Sequence, residues 1–300
     1  MFVHWAPKQS ELYLHPDEWK TDAIPATRDK TAWMFALPLQ IDGKDGLDLV
    51  VASKGKEALV GWLQSPAHPR DLDSWKLHTL YRAGWVMSLV STDVDGDDDL
   101  DLIVSDRKGP NSGVLWLENP GPQTVEGPWP EHRIGGSGRE VMFLDVADLD
   151  RDGHRDVIAA VKPDEIHWFR RPSDPTQPWT THIIKVSLTE GTGTAKGVRV
   201  GDIDGDGRLD IVYSCERATA PKRGLVWLSY SETPNEENWS THDISGPEGI
   251  KYDRVELLDL DGDGDLDVLT CEEKHNGKGI GVFWHENPFG TSHDDIETDR

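Results

Sequence analysis

Short apolar runs recur along the whole chain, each bounded by Gly, Pro, Asn or Asp, and no stretch carries the spacing of an amphipathic helix. The runs keep a fixed order. "VHW", "VGW", "VLW", "IHW", "LVW" and "VFW" place Trp5, Trp62, Trp116, Trp168, Trp227 and Trp284 in one register. A second register holds Trp19, Trp75, Trp129, Trp179 and Trp239, usually with a histidine three residues later. A further apolar run, an acidic loop and then "DLVVAS", "DLIVSD", "DVIAAV", "DIVYSC" or "DVLTCE" complete each unit of about 50 to 60 residues. Each unit offers four strands, and four short strands repeated in this way predict the blades of an all-β propeller.

The acidic loop and the second tryptophan each occur five times and the first tryptophan six times, so the chain begins and ends partway through a blade. The count predicts a five-bladed β-propeller with four-stranded blades, closed by shared N- and C-terminal strands. The alternative is part of a seven-bladed ring. Residues 1–288 are expected to form the single propeller domain and 289–300 an acidic tail.

The loops carry the chemistry. In "GDIDGDGRLDIVYSC", Asp202, Asp204, Asp206 and Asp210 stand at positions 1, 3, 5 and 9, where alternate carboxylates converge and Gly205 and Gly207 supply positive-φ turns. Without a cation, such carboxylates repel. The pattern returns with Asp93, Asp95, Asp97 and Asp101; with Asp148, Asp150, Asp152 and Asp156; and with Asp259, Asp261, Asp263 and Asp267. These four loops predict about four structural Ca2+ sites. A fifth, "QIDGKDGLDLVVAS", keeps Asp42 and Asp48 but has Gln40 and Lys44 where ligands would stand, and is expected to be empty or weakly occupied.

Composition narrows the partners. The formal charge of −24, or −16 with four divalent ions, leaves no basic stripe for nucleic acid. No apolar run is long enough for a membrane span, and the start "MFVHWAPKQS" lacks the regions of a signal peptide. A need for calcium near millimolar levels favours an extracellular or periplasmic setting. Cys215 and Cys271 end corresponding strands one position out of register, which disfavours a disulfide.

These loops, together with the "WLENP", "FRRP" and "WHENP" endings, resemble the FG-GAP family, also described as VCBS repeats, whose blades carry D-x-D-x-D-G-x-x-D loops. The sequence departs from that pattern at the decayed first loop, at Asp98 where glycine is usual, and in having five repeats rather than seven. The resemblance implies that the acidic loop joins the innermost strand to the second strand at one face. The opposite face is then lined by the segments leading into the innermost strand and leaving the second.

Residues there that break the repeat are the ligand-binding candidates. Trp33 and Trp85 precede innermost strands and are expected at the mouth of a central channel, as a sugar platform or, with Met34, Met87 and Met142, as a plug. Arg139, Glu140, Lys196 and Arg254 surround them, and Arg107, Lys162, Glu216 and Glu273 are among the charges on the exit loops. His78, His132, His182 and His242 repeat one position per blade, so they cannot converge and are read as structural. Three functions follow: a calcium-binding propeller that recognises a glycan or another small polar ligand; a polysaccharide lyase or sugar dehydratase with Lys196, Tyr252 or His275 as base; and a protein-interaction scaffold.

Overall fold

The apolar run after each acidic loop forms a deeply buried second strand, and an antiparallel meander is built around it. The computed structural model describes every residue except 236, 238, 274–276, 278 and 290–300. Strand β1 (Phe2–Trp5) pairs with β2 (Lys20–Ala23). The next sheet runs β3 (Ala32–Leu39), β4 (Asp48–Lys54), β5 (Leu59–Gln64) and β6 (Lys76–Arg82). It is followed by β7 (Val86–Thr92), β8 (Asp101–Asp106), β9 (Gly113–Leu117) and β10 (Glu131–Gly135). A third four-stranded sheet holds β11 (Val141–Ala147), β12 (Asp156–Val161), β13 (Glu165–Arg170) and β14 (Thr180–Lys185). The fourth holds β15 (Thr194–Gly201), β16 (Asp210–Glu216), β17 (Leu225–Ser229) and β18 (Ser240–Asp243). The last has β19 (Tyr252–Leu258), β20 (Asp267–Glu272) and β21 (Gly281–His285).

The fold is that of an all-β propeller with five blades, each acidic loop linking an innermost strand to the second strand of its blade. Contacts group the chain into two compact units, Met1–His132 and Arg133–Arg300. In the first, Trp62, Val50, Leu80, Val104, Leu115 and Trp129 belong to one buried cluster that fills the space between two neighbouring blades. In the second, Val212, Leu225, Tyr252, Val255 and Val268 do the same. Second strands such as Asp101–Asp106 are buried along their whole length because both edges are paired and both faces are covered.

Both tryptophan registers are structural. Trp62, Trp116, Trp168 and Trp227 stack on His78, His132, His182 and His242 of the adjacent outer strand, with ring centroids 4.7, 4.2, 4.5 and 3.9 Å apart. The second register ties down the loop before the outer strand: Trp75, Trp129, Trp179 and Trp239 donate their indole N–H to the carbonyls of Pro69, Val125, Pro175 and Pro234. Cys215 and Cys271 are both free thiols.

Every innermost strand has a register shift near its start, between Trp33 and Phe35, Val86 and Ser88, Val141 and Leu144, Ala195 and Gly197, and Tyr252 and Val255. A bulge re-aims the extra side chain. In the first three blades the shifted stretch contains Met34, Met87 or Met142; in the fourth it is Lys196, and in the fifth Asp253 and Arg254.

Candidate metal centres

The backbone of each acidic loop is bent twice into the left-handed region, at its fourth and sixth positions. Gly205 and Gly207 have φ of 67° and 86°, and Gly262 and Gly264 have 86° and 97°. The same turns are made by Gly96 with Asp98 (φ 72°), by Arg151 (φ 59°) with Gly153, and by Gly43 with Asp45 (φ 51°). Aspartate is among the few side chains that enter this region readily, so Asp98 keeps the shape that glycine would give.

This path turns the carboxylates inward. One oxygen from each of Asp148, Asp150 and Asp152, of Asp202, Asp204 and Asp206, and of Asp259, Asp261 and Asp263 lies within 4.8 Å of its partners. In the second blade the converging set is Asp93, Asp95 and Asp101. The other oxygens accept from the loop's own backbone: Gly207 N–H donates to Asp202 at 2.9 Å and Arg208 N–H to Asp206 at 2.7 Å. Asp150 Oδ1 and Asp202 Oδ1 are buried with no hydrogen-bond partner. Hard oxygens gathered in this way, with buried lone pairs to spare, fit a Ca2+-type ion. The carboxylates at positions 1, 3 and 5, and in the second blade those at 1, 3 and 9, would hold it, and its charge would offset their repulsion.

The ninth aspartate has a second task. Asp48, Asp101 and Asp267 each accept one backbone N–H from the loop's second position and another from one or two residues beyond the third strand. The donors are Ile41 and Ser65, Val94 and Asn119, and Leu260 and Asn287, at 2.8 to 3.0 Å. Asp156 does the same with Leu149 and Arg171, and Asp210 accepts from Ile203. The ninth carboxylate therefore staples the loop to its blade. Among these, Asp101 also joins a converging set, whereas Asp156, Asp210 and Asp267, read from spacing as ligands, are not members of theirs. Burial raises the pKa of Asp101 to about 6 and of Asp156 and Asp210 to about 7, the backbone donors opposing the shift.

The loops differ in what already neutralises them. Around Asp93, Asp95 and Asp97, and around Asp259, Asp261 and Asp263, no basic side chain pairs with a carboxylate among the described residues. In the third blade the guanidinium of Arg170 bonds Asp150 and, at 2.7 Å, Asp152. In the fourth, Arg208 pairs with Asp206. The first loop is satisfied without any ion. Gln40 donates to the carbonyls of Lys44 and Gly46 and accepts from Gly43, while Gln64 donates to Asp42 at 2.6 Å with Lys44 Nζ 3.7 Å away. Gln64 and Arg170 occupy the same place, two residues after the stacked tryptophan.

At the opposite ends of the blades most candidate residues are already engaged. Lys196 is 8% exposed and lies 3.1 Å from Asp253 and 3.6 Å from Glu216, which also pairs with Lys162 at 2.5 Å. Burial pushes Asp253 up to about 6, helped by Glu273 and opposed by Lys196. Arg139 is bound to Glu165 at 2.6 Å, and Arg254 to Glu256 at 2.6 Å. Glu140 is half-buried, and its carbonyl accepts from Lys162 N–H. Tyr252 is buried and donates to the Glu248 carbonyl; burial raises its pKa. Trp33 donates to the Thr27 carbonyl and packs against the buried cluster of Ile24, Val51, Leu63 and Trp75, a structural position. His275 and the tail beyond Phe289 lie outside the described residues. Trp85 differs from all of these: three cations surround its ring.

The family model for the FG-GAP-like repeat matches residues 93–159 and 148–213, spanning the second and third acidic loops and running past the fourth. Residues 93–213 thus carry FG-GAP-like repeats within a β-propeller fold. No curated protein sequence matches this chain. Among solved structures, the chain is similar to the Vibrio cholerae biofilm matrix protein Bap1, with 14% identity, a TM-score of 0.44, and 95% of this chain and 42% of that one covered. It is also similar to a putative 6-phosphogluconolactonase from Bacteroides uniformis, at 13% identity and a TM-score of 0.46, covering 82% of this chain and 70% of that one. A mutant NanB sialidase from Streptococcus pneumoniae gives 12%, 0.49, 95% and 41% for the same quantities. The chain thus spans about four-tenths of the length of the Bap1 and sialidase chains. These likenesses carry no functional weight.

Proposed function

We propose that this chain is a calcium-held propeller that binds a polar ligand of the carbohydrate class at the blade ends opposite the acidic loops. The observation that carries the ion is the convergence of three carboxylates, within 4.8 Å, at corresponding places in four blades. An ion there would join the loop's first half to its turn and so brace the hairpin of innermost and second strands. The weak calcium affinity usual for such modules outside the cell favours an extracellular or periplasmic setting.

The loop ends repeat from blade to blade, whereas the opposite ends do not, and unrepeated surface is where a single ligand would be recognised. A binding module is favoured over a lyase or dehydratase because Lys196 is held in ion pairs and the Tyr252 hydroxyl is already a donor to a carbonyl. A general base needs a free lone pair within reach of substrate. No helix of the described residues is long and apolar enough to cross a membrane. The test is a glycan-array screen run with and without chelator. Capture of a saccharide that weakens when calcium is removed supports the reading, and a blank array overturns its ligand half.

A further inference from the structure

The interface of the fourth and fifth blades is built on the same repeat positions as that of the first and second. Ile203, Trp227, Ile244, Val268 and His285 stand where Ile41, Trp62, Leu80, Leu102 and Leu117 stand in the earlier pair. Those five earlier residues share one buried cluster with Val125 and Trp129, both from the loop before the outer strand β10. Trp129 N–H donates to the Leu80 carbonyl at 3.2 Å, which fastens that loop across the two blades. In the later pair the equivalent five residues line a cavity of about 420 Å³, bordered by Phe289, whose ring packs on Gly205.

The cavity lies where the other blades place an indole. Trp75, Trp129, Trp179 and Trp239, each just before an outer strand, are between 2% and 9% exposed. Among the described residues β21 pairs with β20 alone, and residues 285–300 contain no tryptophan. Both walls show the consequence. Trp227 is half-buried where Trp62, Trp116 and Trp168 are fully buried. Trp284, at the register position on which an outer-strand histidine stacks in the other blades, is 40% exposed, and Val282 on the same side of the strand is 76% exposed. His285 Nε2 is buried with no hydrogen-bond partner, in the place of the apolar Leu117. A strand edge of this kind beside an unfilled apolar cavity suits strand addition, in which backbone bonds give affinity and the cavity gives specificity.

We infer that β21 is a docking edge for an extended segment of a partner protein that carries a tryptophan three residues before a histidine. The segment would pair with β21 as a fourth strand, its indole entering the cavity against Trp227, Ile244 and Val268 and its histidine stacking on Trp284. The repeat itself specifies this occupant, because each of the four-stranded blades fills the same place with such a tryptophan and stacks such a histidine on the third strand. Asp243 and Glu286 on the cavity rim favour a segment with no acidic excess. Trp19 of a second copy fits less well: Asp22 stands three residues after it and already accepts the Trp5 indole N–H at 2.8 Å.

The test is fluorescence anisotropy of a labelled peptide with the sequence of residues 174–185, which holds Trp179 and His182 with one acidic and one basic side chain, titrated with the calcium-loaded protein. Saturable binding is expected, with a rise in the protein's melting temperature as the peptide is added. Trp179→Ala in the peptide should weaken binding by about tenfold or more, as for any buried aromatic anchor. In the protein, Ile244→Trp fills the cavity from its wall and should abolish binding, an unchanged melting temperature certifying its fold. Trp284→Ala, at an exposed position, should weaken binding independently. Equal affinity for the peptide and its alanine variant, or undiminished binding by both protein variants, overturns the inference. Failure of the peptide to bind overturns it as well, and a dimer that Trp19→Ala dissociates would assign the edge to a second copy instead.

Discussion

The guanidinium of Arg170 lies on the carboxylates of Asp150 and Asp152, with Nη2 2.7 Å from Asp152 Oδ2. A protein-borne cation thus stands where the third acidic loop would otherwise need an ion. Arg170→Gln should free that loop and raise the number of calcium ions bound per chain by one, or tighten the weakest site severalfold. Terbium luminescence sensitised by tryptophan, titrated in both proteins, measures this. Identical binding curves would show that Arg170 does not compete.

Chelation should lower the melting temperature, because an ion bound only by the folded chain stabilises it by mass action. Asp204→Ala should remove one site and reduce stability only when calcium is present. Asp42→Ala is expected to behave differently. It strips Gln64 of its acceptor, costing about 1 kcal/mol with or without calcium. Melting curves of both variants, with calcium and with chelator, separate the two behaviours.

Asp48 tests the staple apart from the metal. It is fully buried and holds the N–H groups of Ile41 and Ser65 in the loop that has Gln40 and Lys44 at ligand positions. Asp48→Ala leaves both donors buried and unpaired, a loss of about 2 kcal/mol or more that calcium cannot restore. Denaturant titration in calcium and in chelator should give the same loss. A loss confined to the calcium-loaded protein would assign Asp48 to an ion instead.

The pair Asp253 and Lys196 carries a pH dependence. Burial raises the Asp253 carboxyl from 3.8 to about 6, so the folded chain keeps its proton where the unfolded chain has released it. This contribution to stability is fully present below pH 3.8 and is lost as pH climbs through 6. Asp253→Asn should therefore flatten the dependence of melting temperature on pH between about 4 and 6. An unchanged slope in that window, at saturating calcium, would contradict the assignment.

The repeat was legible in the sequence because its markers are local. The tryptophan registers, the histidines three residues on and the loop spacing all lie within a few residues of one another; the first register and the histidines fall on strands, the second register just before the outer strands, and the loop spacing on the turns between strands. The ligand sets were less legible. The donor that distinguishes the third loop, Arg170, stands 18 to 20 residues downstream of the aspartates it meets. At the far ends of the blades, side-chain type identified charge but not partner: Lys162 meets Glu216 from 54 residues away, and Lys196 meets Asp253 of the following blade. Lys54 and Lys108 gave no local sign of their convergence on Trp85, since strand ends of neighbouring blades bring them there.

The two left-handed bends of each acidic loop are present in the loop satisfied by Gln40, Gln64 and Lys44 as well as in the four with converging carboxylates. The loops' shape is therefore available before any ion arrives, and what differs among them is the residual negative charge: greatest in the second and fifth blades, smaller where Arg170 or Arg208 intervenes, and least in the first. If the loops take calcium as proposed, a chain so arranged would meet a rising calcium concentration in stages rather than at one threshold. It would stiffen blade by blade, and keep part of its framework where the ion is scarce.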